Sequence, residues 1–584
     1  MRNRDRQSQI GRSPRRCPGH AHLARVSFTA LAFFLLGASL AAAPAQATEY
    51  FVAPTGSDSN PGTMASPFAT IQKGNDVAAA GDTVWLRAGT YFSTRQIVLS
   101  RSGTSDTNRT KFWAYQNEVP ILDCSRYVST NKAADVPAVL VTGSWVHLRG
   151  LEIANGPVGA SGDHSISMLR TRNASNNTFE LLNIHYGFGP GVFIDTGNGG
   201  NLILNCDSHD NYDKNGSQGD GQNGDGFGVH YQTSGPSTII RGCRAWINSD
   251  DGYDLISQEV PVIVENSWAI QNGFANGGSL SPSSGNGNGF KMGSSVTGIR
   301  HIVQKNVAWK NKAAGFYANH SSGGNTWLNN TSYMNGTQYN MLASPPNDSA
   351  TTIILTGALA HKMRNNIGFP NRNSNMGGVD TMFNTWDLGI METAADFAST
   401  SDTGATGPRQ ADGGMPAVDF LKLKAGSPLV DKGTDVGLPF VGTAPDLGAY
   451  ELGLVTISGT GGSSGGGSGG GSGAGGAMVG AGGRGAGGGA GGRGVGGGAG
   501  LGGLGGAQPG TGGGVGTGSG GAASGSGGAT GEPPGAGDTM GGCSCALSAG
   551  GTAGDLAGLA GVLAFAVAFA GISGSRRRKR PQPS

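Results

Sequence analysis

From about Thr48 to Gly453 the chain is built from short extended runs. Apolar, β-branched residues alternate with polar ones, as in "STII" and "VPVIVE", and each run ends in a turn rich in Asn and Gly. Helical periodicity is scarce outside "PFATIQKGNDVAAA", Pro67–Ala80, which reads as a short capping helix near the N-terminal end. The runs repeat. "CDSHDN", "CRAWIN", "SWAIQN", "NVAWKN" and "NTSYMN" end in Asn211, Asn248, Asn272, Asn311 and Asn335, and their third residue is always small: Ser208, Ala245, Ala269, Ala308 and Ser332. "LEIAN", ending at Asn155, fits the same frame. Intervals between successive asparagines are 37, 24, 39 and 24 residues, so the short interval is the bare unit and the long ones carry insertions such as "GQNGDG" and "NGGSLSPSSGNG".

A strand-rich unit every ~20–30 residues predicts a solenoid of stacked coils. The fold class is all-β, a right-handed parallel β-helix. A β-propeller is the runner-up, but its four-stranded blades need ~40–45 residues each. One asparagine at a fixed place per coil has a mechanism: stacked side-chain amides hydrogen-bond along the column, and asparagine tolerates the left-handed turn conformation. Cys206 and Cys243 fall at equivalent places in successive coils, which leaves two readings open, a disulfide or two stacked buried thiols.

Each unit continues into a Gly–aromatic pair: Gly226–Phe227, Gly252–Tyr253, Gly289–Phe290 and Gly315–Phe316. Aligning these pairs sets Asp225 beside Asp251 and Asp254 beside Lys291, with Asp250 in the turn next to Asp251. Four crowded carboxylates repel, and a hard cation relieves that repulsion. Calcium takes 6–8 oxygen ligands, often carboxylates plus water. Ca2+ is therefore the expected cofactor, with Asp225, Asp250, Asp251 and Asp254 as ligands. A wet turn would explain a lone Asp-Gly but not the aligned set. A divalent cation near Lys291 disfavours its ammonium form and makes it a candidate proton acceptor, against the alternatives of a solvated charge or a salt bridge to Asp254. His230, Tyr231, Tyr317, His320, Lys310 and Lys312 are candidate substrate contacts, though each taken singly is more often plain solenoid surface.

The ends of the chain differ from its middle. The chain has 584 residues, 109 of them glycine, with much of the glycine after Gly453. A basic stretch with Arg15, Arg16 and Arg25, an apolar run and "AQA" at Ala45–Ala47 read as an export signal over residues 1–47. Its length allows a start downstream of Met1, and an N-terminal membrane anchor is the other reading. Residues 48–453 form the folded domain. Residues 454–541, almost all Gly, Ala and Ser, predict a disordered tether. Residues 542–584 hold "GGCSC", the apolar helix Leu556–Ile572 and the basic end "RRRKR", which suits an anchor with its basic end in the cytoplasm. The expected location is secreted or at the cell surface. A net charge of +2 with no dense basic face argues against a nucleic-acid partner.

The tripartite tail resembles the C-terminal sorting signals of myxobacterial surface proteins, a resemblance that implies processing at Cys543 or Cys545. The segments "YFVAPTGSDSNPGTMASPFATIQKGNDVAAAGDTVWLRAGTY", "DDGYD", "GNGFKMG" and "AGSPLVDKG…APDLGAYE" resemble the family-nine pectate lyases over about Glu49–Leu452. That resemblance implies a monomeric lyase acting on an acidic polysaccharide, polygalacturonate or pectin. It implies calcium held by Asp225, Asp250, Asp251 and Asp254, with Lys291 as the base in a β-elimination that favours alkaline pH. Two other readings compete. A β-helix glycoside hydrolase would use a carboxylic acid and a carboxylate without an ion. A non-catalytic surface adhesin or polysaccharide-binding module would need the ligands but no adjacent base.

Overall fold

Alternation of apolar and polar positions, broken by left-handed asparagine turns, produces a parallel β-helix in the computed structural model. It describes residues 47–454 apart from 129–135, 158–165, 215–218, 277–278, 295 and 347. The export signal, the glycine-rich tether and the apolar segment expected at 556–572 lie outside the described residues. Among the described residues no helix is long and apolar enough to cross a membrane.

Three parallel sheets of 12, 10 and 9 strands run along the solenoid, here called I, II and III. One coil shows the path: Thr238–Arg241 lies in sheet I, Arg244–Trp246 in sheet II, Tyr253–Ile256 in sheet III, and Val262–Glu265 returns to sheet I one coil on. The interior is filled by like side chains stacked in register. In sheet III, Phe227, Tyr253, Phe290, Phe316 and Tyr339 stack with ring centroids 5.1, 4.5, 5.0 and 5.1 Å apart. This row fixes the coil register, because a slip by one residue would turn every ring out to solvent. Ser208, Ala245, Ala269, Ala308 and Ser332 pair in one row on sheet II. They are small because the glycines of sheet III press on them; a Cβ on Gly226 would sit 2.7 Å from the Ala245 Cβ.

The asparagine column forms at the corner between sheets II and III. Each Nδ2 donates to the next Oδ1 along Asn211, Asn248, Asn272, Asn311 and Asn335, at 2.9, 3.0, 2.9 and 2.9 Å. Asn155 does not join it. It falls one residue short, in the row of Tyr186 and Asp210, with φ 54° and its amide on Asp123. Gly187 stands at the column position instead and donates its N–H to Asn211. A second column lines the corner between sheets I and II: the backbone N–H groups of Cys206, Cys243, Ser267, Asn306 and Asn330 each meet the next side chain. Cys206 and Cys243 belong to it as unbridged buried thiols, so the stacked-thiol reading holds.

The capping helix is shorter than its sequence signal, Ile71–Val77, and starts at Thr70, whose hydroxyl accepts from Lys73 N–H. Gln72 and Asn75 bond the backbone of Val98 and Ser100, covering the open end of the first coils. The segment beyond Met376 does more than close the C-terminal end. It turns back and covers the outer face of sheet II, burying Trp246, Trp268, Trp309, Phe397, Phe420 and Leu447 together. Asp207, buried, is clamped between Arg244 and Arg409, at 2.6 Å from each.

Candidate active site and cation site

The aromatic row inside sheet III dictates what stands outside it. Four neighbouring strands matter: β1 (Phe227–His230), β2 (Tyr253–Ile256), β3 (Phe290–Met292) and β4 (Ala314–Tyr317). Since side chains alternate along a strand, the residue after each ring points out. The outward row is Gly228, Asp254, Lys291 and Tyr317, as the Gly–aromatic alignment required. The residue two before each ring forms a parallel polar row at the corner. Asp225 Oδ1 accepts the Asp251 N–H at 3.0 Å. Asp251 Oδ1 in turn accepts from Asn288 N–H and Nδ2 at 2.6 and 2.9 Å.

These rows bring Asp225, Asp251 and Asp254 together, with one oxygen of each within 4.8 Å of the others, and all three are buried. Lys291 Nζ closes the group at 2.9 Å from Asp251 and 3.4 Å from Asp254. His230 Nε2 stands 3.6 Å from Asp254 on the other side. Asp250 is close by and buried, but outside the three-oxygen group; its Oδ1 accepts the Asn286 N–H at 2.5 Å.

Burial raises the pKa values of Asp225, Asp250 and Asp251 above the ordinary carboxylate range, and neighbouring carboxylates help push Asp225 and Asp250 well above it. Burial acts the same way on Asp254, but Lys291 and His230 overcome it and hold that carboxyl low. Burial would lower Lys291, yet the four carboxylates outweigh it and hold the amine as a firm ammonium. The protein's own charges therefore favour the ammonium. A neutral amine requires another cation to satisfy the carboxylates.

The donor set fits a hard cation. It is all oxygen, more acidic than one lysine can balance, and Asp254 Oδ1 is buried without a hydrogen-bond partner among the described residues. Asp225, Asp251 and Asp254 could hold such an ion from their present positions.

Two insertions roof the bare turn that carries Asp250 and Asp251. Gln222 from the first donates to Ser284 O of the second at 2.7 Å. Gly285 rests against the turn so closely that a Cβ would lie 2.3 Å from Ser249 O and 2.8 Å from Asp250 Cα. Lys312 pins this roof, its ammonium donating to Gly285 O and, at 2.9 Å, to Ser283 O. Asn286, held by the roof, places its Oδ1 3.5 Å from Lys291 Nζ.

Of the candidate contacts, Tyr317 lies beside Lys291 in the outward row, and His320, bonded to Ser344 at 2.7 Å, has its ring 6.1 Å from that of Tyr317. His230, buried, packs edge-on against Phe193 and faces Asp254, with Tyr231 beside it. Lys310 is elsewhere, on the outside of sheet II, paired with Asp402 at 2.8 Å. Lys312 is a clamp on backbone carbonyls. Asn286 escaped sequence reasoning; only the placement of an insertion just before "GFK" hinted at it.

Comparisons with known proteins agree with the fold. The family model for the Pel9A-like, right handed beta helix region matches residues 50–374. Pectate lyase L of Dickeya dadantii is 33% identical over 411 residues, 69% of this chain and 90% of its own length. Pectate lyase PEL9 of Emericella nidulans is 28% identical, covering 64% and 92%. The crystal structure of pectate lyase Pel9A superposes with a TM-score of 0.59 at 31% identity, over 69% of this chain and 96% of that one. A rhamnogalacturonan lyase gives 0.55 at 29%, over 65% and 97%.

Proposed function

The chain belongs to the Pel9A-like right-handed β-helix family and is an enzyme of the pectate-lyase kind; from that premise we propose that it cleaves polygalacturonate by calcium-dependent β-elimination, with Lys291 as the base. The observation that carries this reading is the contact of Lys291 Nζ with both Asp251 and Asp254, on the outward row of sheet III. A hydrolase or a binding module has no use for a lysine held against its cation ligands.

Asp225, Asp251 and Asp254 would hold the ion, and Asp250, one residue away in the same turn, would be the fourth ligand. When bound, the calcium ion supplies positive charge that offsets the substrate's C6 carboxylate and acidifies its C5 proton. Lys291 takes the C5 proton as a neutral amine. The C5–H electron pair becomes the C4–C5 double bond. The C4–O bond breaks with its pair passing to oxygen, which takes a proton from water as the new end of the leaving chain, while the Lys291 ammonium gives its proton back to solvent. Asn286 orients Lys291, and Tyr317 and His320 offer a surface for the sugar next along the row.

The test is ultraviolet absorbance on polygalacturonate with calcium and then with a chelator. Absorbance that rises only with calcium supports the reading. Reducing ends without absorbance would replace it with hydrolysis, and the same assay on rhamnogalacturonan tells whether the uronate backbone must be uniform. The chain acts outside the cytoplasm on this reading, and mass spectrometry of the exported protein should find Thr48 at its N-terminus.

A further inference from the structure

A second feature stands on sheet I, away from the sheet that carries the acid cluster and several coils nearer the N-terminal end. Phe51, Trp85, Trp113 and Arg149 occupy one outward row on successive coils, where a solvated solenoid face would be polar. Trp85 meets Trp113 and Tyr115 edge-to-face at 5.8 and 5.7 Å, and Phe51 meets Tyr115 at 5.7 Å. The rings wall a groove of about 430 Å³, within the range of small-ligand sites. Its rim is polar: Gln116, Glu49 and Arg149 line it.

The electrostatics point to an anion with a saccharide body. Arg149 and Lys111 stand 5.7 and 5.5 Å from the Trp113 ring. Arg149 is only loosely paired, 3.4 Å from Glu180, and Lys111 has no carboxylate partner among the described residues. The Trp113 Nε1 is buried, and Trp85 Nε1 is satisfied by Glu49 at 3.1 Å, so neither indole N–H faces a ligand. Aromatic walls suit the C–H face of a sugar, because the ring face carries negative charge density. The cations suit a carboxylate. A protein partner would need about 800 Å² on each side, far more than a groove of this volume presents.

We propose that this groove is a second, non-catalytic binding site for an acidic oligosaccharide, one or two uronate rings held on Trp85 and Tyr115 with a carboxylate on Arg149. The choice of an acidic sugar rests on the lyase reading, and the groove would hold the enzyme on polymer while sheet III works on another stretch of chain.

The test is calorimetric titration of the full chain in chelator with tetragalacturonate and with a neutral galactose tetramer. Wild type should bind the acidic ligand. Trp85→Ala should bind about tenfold more weakly, and both should cleave the same tetramer equally fast once calcium is added. Arg149→Gln, at a half-exposed side chain whose loss spares the fold, should lose the preference for the acidic ligand. Equal binding by wild type and both variants, no binding by wild type, or equal binding of the neutral tetramer overturns the proposal. Trp85-dependent binding without cleavage would overturn the lyase reading alone. Cleavage without Trp85-dependent binding would overturn the groove alone.

Discussion

Replacing Lys291 with methionine separates the lysine's two roles. The ammonium lies 2.9 Å from Asp251 and 3.4 Å from Asp254, and both carboxylates are buried. Removing one partner of a buried ion pair costs about 3–5 kcal/mol, because the other charge is left uncompensated. In a solenoid of this length that corresponds to a fall in Tm of about 5 °C. The control is Lys310→Met, which breaks a half-exposed pair with Asp402 and should cost no more than about 1 kcal/mol. The assay is thermal melting near pH 8, where the carboxylates are most heavily charged, in chelator and then in calcium. The ion takes over the counter-charge, so calcium should raise the Tm of Lys291→Met more than that of wild type. If Lys291→Met melts with wild type in chelator, or calcium raises both equally, lysine and cation do not share the same carboxylates and the site is wrongly drawn.

Three further outcomes follow from the geometry. Asp225, Asp250 and Asp251 hold their protons above the ordinary aspartate value of 3.8, so their contribution to stability is present below that value and lost as pH rises through their raised ones. Calcium-free protein should therefore lose stability from weakly acidic to neutral pH, and calcium should flatten the profile; a calcium-free profile that rises over that window would contradict the charge assignment. Lys312→Met should unpin the roof at Ser283 and Gly285, lowering kcat about tenfold with a small change in Tm and partial rescue by Lys312→Arg; unchanged kcat would make the clamp irrelevant to Lys291. Asn272→Ala interrupts the amide column between Asn248 and Asn311, and leaving buried donors and acceptors unmet should cost about 1–3 kcal/mol in a denaturant melt without altering turnover per folded molecule.

The solenoid, its register and the meeting of Asp225, Asp251, Asp254 and Lys291 were legible because a stacked coil converts sequence alignment into spatial neighbourhood. Once Phe227, Tyr253, Phe290 and Phe316 share a row, the residues beside them have nowhere else to go. What did not repeat was not legible. The insertions that bring Asn286 to Lys291 and Gly285 to Asp250 follow no coil, and the C-terminal strap whose Asp402 pairs with Lys310 is sequence-distant from it. Asn155 misled because an asparagine in a left-handed turn looks, in sequence, like one in the column. Cys206 and Cys243 were undecided for a related reason: stacking brings two thiols near each other whether or not they bond.

The central claim is that Lys291 is a base working beside a cation. Its most direct measurement is the initial rate of ultraviolet-absorbing product from polygalacturonate in calcium, for wild type and Lys291→Ala, alongside binding of the polymer by each. Wild type should turn over, Lys291→Ala should lose about two to four orders of magnitude in rate, and polymer binding should stay within a few-fold of wild type. Turnover that survives the substitution, or that disappears together with binding, would contradict it.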